Sequence, residues 1–358
     1  MISLTNRINA FSELGKILLE VGLNQRNNSY DNEIVNLLDK TVIDATHYNG
    51  WFIEENVRFM LTSIGKSLEK NNIIKWIDPY KQKLESNKSA STIGVVMAGN
   101  IPIVGFHDFL SVLMSGNNIL AKLSSDDNKL LPIIADILIS IEPDFSSMIT
   151  FTSGLIKKMD AIIATGSNNS SRYFEYYFGK YPNIIRRSRN GIAVLTGDES
   201  VEELKNLSND IFMYYGLGCR SVSHILVPAN YDFTRFLDVC TLNTQVSINH
   251  KYFNNYEYNK AIYLVNSKNH FDTGNLLLTE DGNFASPVSV VNYEYYTDIK
   301  HVNSLLKTNN SKIQCIVSNS IDVKDAIPLG TSQSPELWDY ADGIDTMEFL
   351  TNLQSSTI

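Results

Sequence analysis

Apolar positions in the first ninety residues recur with the spacing of a helix. Residues 4–21 place six apolar side chains on one helical face, namely Leu4, Ile8, Phe11, Leu14, Leu18 and Val21. A second pattern of this kind runs from Glu33 to about Glu69. Side chains three and four positions apart lie on the same side of a helix, so such a stripe is typical of a helix packed against a core. We therefore predict a mostly helical segment over residues 1–90.

The pattern changes at Ser91, where short apolar runs begin to alternate with helical spacing. The run from Thr92 to Ala98 ends in Gly99-Asn100, as expected for a strand buried on both faces. Further strands are predicted at 118–123, 160–164 and 191–196, and helices at 102–115, 129–141 and after Ser200. Ser200 and Glu203 have the spacing of a capping box. Such alternation indicates an α/β fold with a parallel sheet covered by crossover helices.

After about residue 210, strand-like runs dominate and are separated by polar connections. They lie at His224–Val227, Ala261–Val265, Pro287–Val291 and Ile313–Val317. This part of the chain is predicted to form a second α/β lobe.

Composition excludes several classes of protein. The 358 residues include 30 Lys or Arg and 39 Asp or Glu, a formal net charge of −9, and 43% are hydrophobic. The hydrophobic content excludes an intrinsically disordered chain, and the acidic balance argues against nucleic acid as a partner. The start of the sequence lacks the pattern of a signal peptide, and the densest apolar stretch, Leu130–Ile141, is interrupted by polar residues. We expect a cytoplasmic protein with no membrane span.

The three cysteines lie far apart in the sequence, which is too sparse for a disulfide scaffold or a zinc site. No pair of histidines has metal-ligand spacing. The thiols are therefore expected to be reduced, and no catalytic metal is indicated.

Two turns follow predicted strands at the edge where open α/β sheets bind ligands. The first is Ala98-Gly99-Asn100-Ile101-Pro102, whose Asn100 amide could donate a hydrogen bond to an oxyanion. The second is Thr165-Gly166-Ser167, whose backbone N–H groups suit a pyrophosphate, and Lys122 could reach a ribose or phosphate. The alternative is that both turns are ordinary helix caps and that Lys122 is a solvated lysine.

A third turn, Tyr215-Gly216-Leu217-Gly218-Cys219-Arg220-Ser221, contains a candidate nucleophile. Its two glycines allow close backbone approach, and Arg220 would favour the thiolate of Cys219, which could then accept an acyl group. Cys240 and Cys315 lie in apolar runs and are interpreted as small buried hydrophobic residues. His224 is a candidate base, with an inward-facing, hydrogen-bonded histidine as the alternative.

In this order, these segments resemble the aldehyde dehydrogenase superfamily, and more closely the fatty acyl-CoA reductases related to the reductase subunit of the bioluminescence fatty-acid reductase complex. The resemblance spans about Ser91 to Leu350. It rests on the segments 99–102, 115–124, 165–167, 218–219, 284–288 and 337–346.

The resemblance implies two lobes, each with a Rossmann-like, parallel-rich sheet. The implied organisation is a helical segment over 1–90 packed on the cofactor lobe, a dinucleotide-binding lobe over 91–212, a catalytic lobe over 213–325 and a C-terminal return segment over 326–358. Cys219 would be the nucleophile and Asn100 the oxyanion donor. The implied cofactor-binding residues are Ala98, Gly99, Lys122, Ser124, Thr165, Gly166 and Ser167.

Departures from the family pattern bear on the reaction and on the cofactor. Aldehyde-oxidising relatives have an acid before the cysteine that activates water, whereas residues 185–191 contain none. A Cys219 thioester would then survive to receive hydride. The nicotinamide-ribose Glu is also missing, because Gly282-Asn283 stand there. Ser125 replaces an acid that would repel a 2′-phosphate, which favours NADPH over NADH, although Asp126 and Asp127 lie nearby.

We therefore expect an NADPH-dependent oxidoreductase that reduces a fatty acyl-CoA, or an acyl-carrier thioester, to the fatty aldehyde through an acyl-enzyme thioester. Two alternatives stay open: an acyl-phosphate or semialdehyde-forming reductase, and an acyl-relay subunit without redox turnover. The resemblance also implies an acyl-protein synthetase as a partner and, by analogy, a homodimer. The aromatic residues at 173–178 and 214–215 could line an acyl channel, with a place in the core as the alternative.

Overall fold

The computed structural model describes residues 2–25, 32–86 and 89–353. The chain divides into two compact units. Unit 1 contains the residues up to Arg187 together with the segment that begins at Pro335, and unit 2 is Ser188–Ser334. The α/β class predicted from the sequence is confirmed in both units.

The N-terminal part of unit 1 is helical, as predicted. Its helices are α1 (Leu4–Gly22), α2 (Glu33–Ile43), α3 (Ala45–Tyr48), α4 (Glu54–Ser67), α5 (Lys70–Ile77) and α6 (Lys81–Ser86). Helices α1 and α4 approach closely because each presents a glycine at the crossing: a Cβ on Gly15 would lie 2.6 Å from the Cβ of Leu68, and one on Gly65 would lie 2.7 Å from the backbone N of Leu19. The second predicted helical stripe is interrupted after Tyr48, where Asn49 and Gly50 end the helix.

Unit 1 continues as a five-stranded, all-parallel sheet with the order β3-β2-β1-β4-β5. The strands are β1 (Thr92–Val96), β2 (Asn118–Lys122), β3 (Ile149–Thr152), β4 (Ala161–Thr165) and β5 (Asn183–Arg186). The crossover helices are α7 (Phe106–Met114), α8 (Leu130–Ile141) and α9 (Asn168–Phe178). The chain proceeds outward from β1 on one side and outward from β4 on the other, so the topological switch point lies between these two strands.

Unit 2 contains a six-stranded sheet with the order β11-β6-β7-β10-β9-β8, in which only β8 is antiparallel to its neighbour. The strands are β6 (Asn190–Val194), β7 (Val222–Pro228), β8 (Phe271–Asp272), β9 (Leu277–Glu280), β10 (Val290–Tyr296) and β11 (Ile313–Val317). The helices are α10 (Val201–Phe212), α11 (Thr234–Thr241), α12 (His250–Val265) and α13 (Ile299–Thr308). The predicted capping box at Ser200 and Glu203 is confirmed at the start of α10.

The C-terminal segment returns to unit 1. Helix α14 (Thr346–Leu353) packs against α7. Before it, the Tyr340 hydroxyl accepts a hydrogen bond from Trp76 Nε1 at 2.8 Å, and the Tyr80 hydroxyl donates to Asp345 Oδ2 at 2.5 Å. The return into unit 1 begins at Pro335, later than the predicted boundary at residue 326.

Further sequence predictions differ from the structure. The run Ala261–Val265 is the last part of α12 and not a strand, because the helical continuity from His250 outweighs its apolar character. Helix α7 begins at Phe106, four residues after Pro102, because the chain first makes a turn through a left-handed Ile103. Strand β6 joins β7 and β11 in the second sheet, which places residues 188–212 in unit 2 and not in the first lobe.

In the described part of the chain, no helix combines the length and apolar character needed to cross a bilayer.

Candidate active site

In unit 1, the two sequence-predicted turns both lie at the carboxyl edge of the sheet, next to the switch point. Ala98, Gly99 and Asn100 follow β1, and Gly166 and Ser167 follow β4. Val96 pairs with Ala164 on one side and with Lys122 on the other, so these turns and the end of β2 share one edge. Open parallel sheets bind ligands in the crevice at this position. The structure therefore brings together the predicted cofactor residues of unit 1 along a single sheet edge.

The turn that carries Asn100 touches the turn after β2. A Cβ on Gly99 would lie 2.6 Å from both the Cβ and the Oγ of Ser124, so only glycine fits there. The Ser124 hydroxyl accepts the backbone N–H of Asp126 at 3.2 Å, which fixes its own turn. Asn100 is exposed at the surface, whereas Gly99 is buried. Asn100 is thus an exposed residue on a backbone that is packed on its inner side.

Asp127 faces inward, although its place in the sequence marks it as an acid near the expected ribose-binding position. Its side chain is buried, and its Oδ2 accepts the backbone N–H of Ile103 at 2.6 Å. Burial raises the pKa of Asp127 to about 6, against the opposing effect of the Ile103 hydrogen bond. Asp126, by contrast, is exposed. Of the two acids, Asp126 is therefore the one whose side chain is accessible to a ligand at this turn.

The Thr165-Gly166-Ser167 turn opens helix α9 as a cap. Ser167 is the N-cap residue, and its Oγ accepts the N–H of Ser170 at 3.2 Å. A Cβ on Gly166 would lie 2.8 Å from Ser170 Cβ and 2.9 Å from Phe174 Cε2, so the glycine permits close packing of the helix on the strand end. Capping does not exclude anion binding, since the N-terminal backbone N–H groups and the helix dipole favour negative charge.

Arg186, at the end of β5, is a residue that the sequence reasoning missed. It is 5% exposed, and its Nη1 donates to Asp108 Oδ2 at 2.6 Å and to Thr165 Oγ1 at 3.5 Å. Its Nη2 donates to Thr346 Oγ1 at 3.0 Å. Buried arginines need such partners, because an unpaired buried charge is strongly destabilising. Arg186 thereby joins the C-terminal helix to the strand end that precedes the Gly166 turn. In the sequence it is one of three arginines within residues 186–189, and nothing there distinguished it from the other two.

In unit 2, Cys219 is exposed in a turn after α10, unlike the other two cysteines. Cys240 is fully buried, as predicted, and burial raises the pKa of its thiol. Cys315 is half-buried, and its Sγ lies 3.6 Å from the carbonyl oxygen of Arg220. Of the three thiols, Cys219 is the most open to a substrate.

The backbone before Cys219 is unusual. Tyr214, Tyr215 and Gly216 have φ angles of 53°, 59° and 73°, so three consecutive residues are left-handed. Bulky residues rarely adopt this region, and each costs about 1–3 kcal/mol. Both tyrosines are buried, and the ring of Tyr215 packs at 5.7 Å from that of Tyr252. Strained backbone held by surrounding packing is common at functional sites, which supports the choice of this turn.

His224, the candidate base, is buried in β7. Its Nδ1 lies 3.1 Å from the carbonyl oxygen of Asn283, and its ring packs at 5.0 Å from that of Phe284. Burial lowers the pKa of His224 to about 4. The inward-facing alternative is the one that this geometry favours. Asn283 itself is held in the turn where the family's Glu is missing, since Asp281 Oδ1 accepts its backbone N–H at 3.0 Å.

The stretch 185–191 has an acid beside it that comes from the C-terminal segment. Asp342 Oδ2 accepts the backbone N–H of Arg187 at 3.4 Å, and the Arg187 side chain pairs with Glu175. Asp342 lies in the C-terminal segment and Glu175 on α9, so the sequence of residues 185–191 alone could not show that carboxylates lie beside this stretch.

The aromatic residues considered for an acyl channel separate into two groups. Tyr214 and Tyr215 are buried in unit 2. On α9 of unit 1, Tyr173, Tyr176 and Tyr177 are 66%, 82% and 61% exposed. The core alternative therefore holds for the first group, whereas the second group forms a surface.

Among the residues that the structure describes, no cluster of His, Cys, Asp and Glu could hold a metal ion.

Several solved structures that match this chain are aldehyde dehydrogenases. Aldehyde dehydrogenase 21 from Physcomitrella patens matches with a TM-score of 0.65 and 13% identity, covering 97% of this chain and 88% of its own. An NADP dependent enzyme from E. coli matches at 0.60 and 10%, over 88% and 78%. An NAD-dependent benzaldehyde dehydrogenase from Corynebacterium glutamicum matches at 0.56 and 14%, over 87% and 77%. At sequence identities of 10–14%, the similarity to these structures shows that the fold is shared.

A search of curated proteins found no match in sequence. A family model described as acyl-CoA reductase (LuxC) matches residues 2–235, which is more than half of the chain. The chain therefore belongs to the acyl-CoA reductase (LuxC) family and is an oxidoreductase of acyl and aldehyde chemistry.

Proposed function

We propose that the protein reduces a fatty acyl-CoA to the fatty aldehyde with NADPH, through a thioester on Cys219. The observation that carries this proposal is the exposed Cys219 in a strained turn, in a chain of the acyl-CoA reductase family. A thiolate is the nucleophilic form of cysteine, and an exposed turn leaves room for a thioester to approach it.

The reaction begins when the Cys219 thiolate attacks the carbonyl carbon of the acyl-CoA. The Asn100 amide and the backbone N–H of Cys219 donate hydrogen bonds to the oxyanion. The carbonyl re-forms as the C–S bond to CoA breaks, and the CoA thiolate leaves with the electron pair and is protonated by solvent. The acyl group then remains on Cys219 as a new thioester.

A reduced nicotinamide, when bound, supplies the hydride that converts the acyl carbon to the aldehyde level. The Asn100 amide again holds the resulting oxyanion, the bond from carbon to Cys219 Sγ breaks, and the aldehyde leaves. Cys219 is thereby restored as a thiolate. The absence of an acid within residues 185–191 favours hydride transfer over hydrolysis of the thioester.

The residues of unit 1 fit a dinucleotide on physical grounds. Gly166 allows α9 to start directly at the sheet edge, so the N-terminal N–H groups of this helix are directed at the switch point. Ser124, Lys122 and Gly99 lie along the same edge and would hold the ribose and phosphate groups. Thr165 and Ala98 complete the proposed binding residues.

The preference for NADPH follows from the turn after β2. Ser125 stands where an acid would repel a 2′-phosphate, and Asp127 is directed away from that surface toward Ile103. Asp126 is the remaining acid, and because its carboxylate is exposed, its repulsion of a 2′-phosphate would reduce the preference for NADPH over NADH. We propose further that an acyl-protein synthetase is the partner and that the protein works in the cytoplasm as a homodimer.

Mass spectrometry of the intact chain after brief exposure to acyl-CoA tests the proposal. Without NADPH, the chain should gain the mass of one acyl group and release one equivalent of CoA. With NADPH, the adduct should disappear while NADPH is oxidised and aldehyde forms. Acylation without any NADPH or NADH oxidation would support an acyl relay instead. Turnover of an acyl phosphate but not of acyl-CoA would support the acyl-phosphate reductase.

A further inference from the structure

Asp127 contacts the Asn100 turn, defined as residues 97–105, on both sides of Asn100. On the N-terminal side, a Cβ on Gly99 would lie 3.2 Å from the backbone N of Asp127. On the C-terminal side, the carboxylate of Asp127 accepts the N–H of Ile103 at 2.6 Å. The backbone of Asp127 is itself fixed, because its N–H donates to the carbonyl oxygen of Ser124 at 3.2 Å. One residue of the turn after β2 therefore lies close to the backbone before Asn100 and accepts a hydrogen bond from the backbone after it.

The contact with Ile103 explains an unusual conformation. Ile103 has a φ of 54°, a region that β-branched residues rarely occupy. It is buried, and its carbonyl oxygen accepts the N–H of Phe106 at the start of α7. A charged acceptor gives a stronger hydrogen bond to a backbone N–H than a neutral one does. The Asp127 carboxylate thus supplies a specific interaction for the strained residue, and the direction in which the chain leaves Asn100 depends on that residue.

The buried carboxylate of Asp127 lowers the stability of the folded protein at neutral pH. Burial raises the pKa of its carboxyl group to about 6, so the native state holds a charge at neutral pH that its surroundings disfavour. Such pairings of a strained residue and a buried charge recur where the position of a reacting group matters.

We propose that Asp127 is a positioning residue for oxyanion stabilisation: by holding the backbone N–H of Ile103 and lying close to Gly99, it sets the direction of the Asn100 amide. The proposal rests on the proposed function, because it assumes that Asn100 stabilises the oxyanion of acyl transfer. Asp127 itself touches neither substrate nor cofactor. It also links the two functions of unit 1, since the turn that contains it carries Ser124 of the proposed nucleotide site.

The first test compares Asp127→Ala and Asp127→Asn in single-turnover acylation, measured as CoA release without nicotinamide nucleotide. Asp127→Ala should lower the acylation rate by about 10-fold to 100-fold with little change in the acyl-CoA concentration for half saturation, because misplacement of a catalytic group affects the transition state most. Asp127→Asn keeps an acceptor oxygen and should restore most of the rate.

The matched control is Asp160→Ala. Asp160 Oδ2 also accepts a backbone N–H, that of Thr92 at 2.7 Å, but at the opposite, amino-terminal edge of the same sheet. Asp160→Ala should leave the acylation rate unchanged within about twofold. Equal losses in the two alanine variants would overturn the proposal, because they would show a general loss of sheet stability.

A double-mutant cycle separates positioning from global damage. In an Asn100→Ala background, Asp127→Ala should lower acylation further by about twofold at most, since the amide that it positions is already absent. If the two losses multiply instead, Asp127 does not act through Asn100 and the proposal is wrong.

Hydrogen exchange of the backbone gives a readout that needs no activity. Asp127→Ala should accelerate exchange in peptides that cover residues 99–105, and Asp160→Ala should not. Unchanged exchange in Asp127→Ala would overturn the positioning role even in an active protein. If the wild-type chain releases no CoA but Asp127→Ala still accelerates exchange at 99–105, the proposed function fails while the hold on the Asn100 turn stands.

Discussion

The turns that carry Asn100 and Cys219 both depend on left-handed, non-glycine residues, but the two are stabilised by different forces. In unit 1, Ile103 is held by one buried carboxylate. In unit 2, Tyr214 and Tyr215 are held by burial of their rings. A hydrogen bond to a carboxylate needs one acceptor in the right direction, and it changes when the carboxylate is protonated. Burial of an aromatic ring depends on many apolar contacts and does not change over the same pH range. The comparison teaches that the same backbone strain can be maintained by a titratable contact or by an apolar one, with different sensitivities to mutation and pH.

The largest effect is expected at the nucleophile. Cys219→Ala should abolish acyl labelling and aldehyde formation, because no other group on that turn can form the thioester. Labelling is measured by mass spectrometry of the intact chain. The control is Cys315→Ala, which removes a half-buried thiol in β11 and should leave labelling unchanged. Persistent labelling of Cys219→Ala would show that another residue carries the acyl group.

A smaller effect is expected at Asn100. Asn100→Ala should lower kcat by about 10²–10³, the usual loss for one oxyanion donor, and slow labelling should remain. Asn100→Asp should lower kcat further, because a carboxylate repels the developing negative charge. Steady-state NADPH oxidation measures both variants, with Asn72→Ala in α5 as a control. Full activity of Asn100→Ala would remove this residue from the mechanism.

The buried titratable groups of the two units should give stability effects of opposite sign. The pKa of Asp127 is raised from 3.8 to about 6, so its contribution to stability is complete below pH 3.8 and is lost as the pH rises to about 6. The pKa of His224 is lowered from 6.5 to about 4, so stability is lost as the pH falls from 6.5 to about 4. Each effect corresponds to about 3 kcal/mol.

Urea unfolding at several pH values between 4 and 6.5 tests these signs. Asp127→Asn should remove the loss on going to higher pH, and His224→Asn should remove the loss on going to lower pH, since Asn retains a donor for the Asn283 carbonyl. The control is His301→Asn, which changes an exposed histidine on α13. Parallel stability profiles for the wild type and the two variants would contradict the assignment of these groups as the titrating ones.

The smallest effect is expected at Gly216. Gly216→Ala introduces a Cβ that meets only the carbonyl oxygen of Ile211 at 3.5 Å, so the cost, about 1–2 kcal/mol, comes from the left-handed backbone. Gly274→Ala is the matched control, because Gly274 has a similar φ of 82° and open space around it. Both variants should lose similar stability in urea unfolding, but only Gly216→Ala should slow acylation, by about tenfold. Equal acylation rates would show that the Cys219 turn tolerates backbone adjustment.

The sequence predicted β1, β2 and β4 of the first sheet because each is a short apolar run, but it did not predict the edge strands β3 and β5. It also predicted several local features: Gly99 and Gly166 lie in turns that follow strands, Cys240 is buried, and Ser200 with Glu203 caps a helix. These predictions depend on local patterns, namely hydrophobic periodicity, turn residues and capping, which any stretch of chain carries by itself.

The tertiary structure decided what depends on partners far along the chain. The apolar sequence of strand β6 resembles that of the strands before it, and only its pairing with β7 and β11 places it in unit 2. Asp127 lies in a polar run that resembles an exposed loop, and only the approach of Ile103 makes it a buried hydrogen-bond acceptor. Arg186 likewise acquires its role from Asp108 and Thr346. Burial and hydrogen bonding between distant residues are properties of the folded packing, so a local pattern cannot contain them.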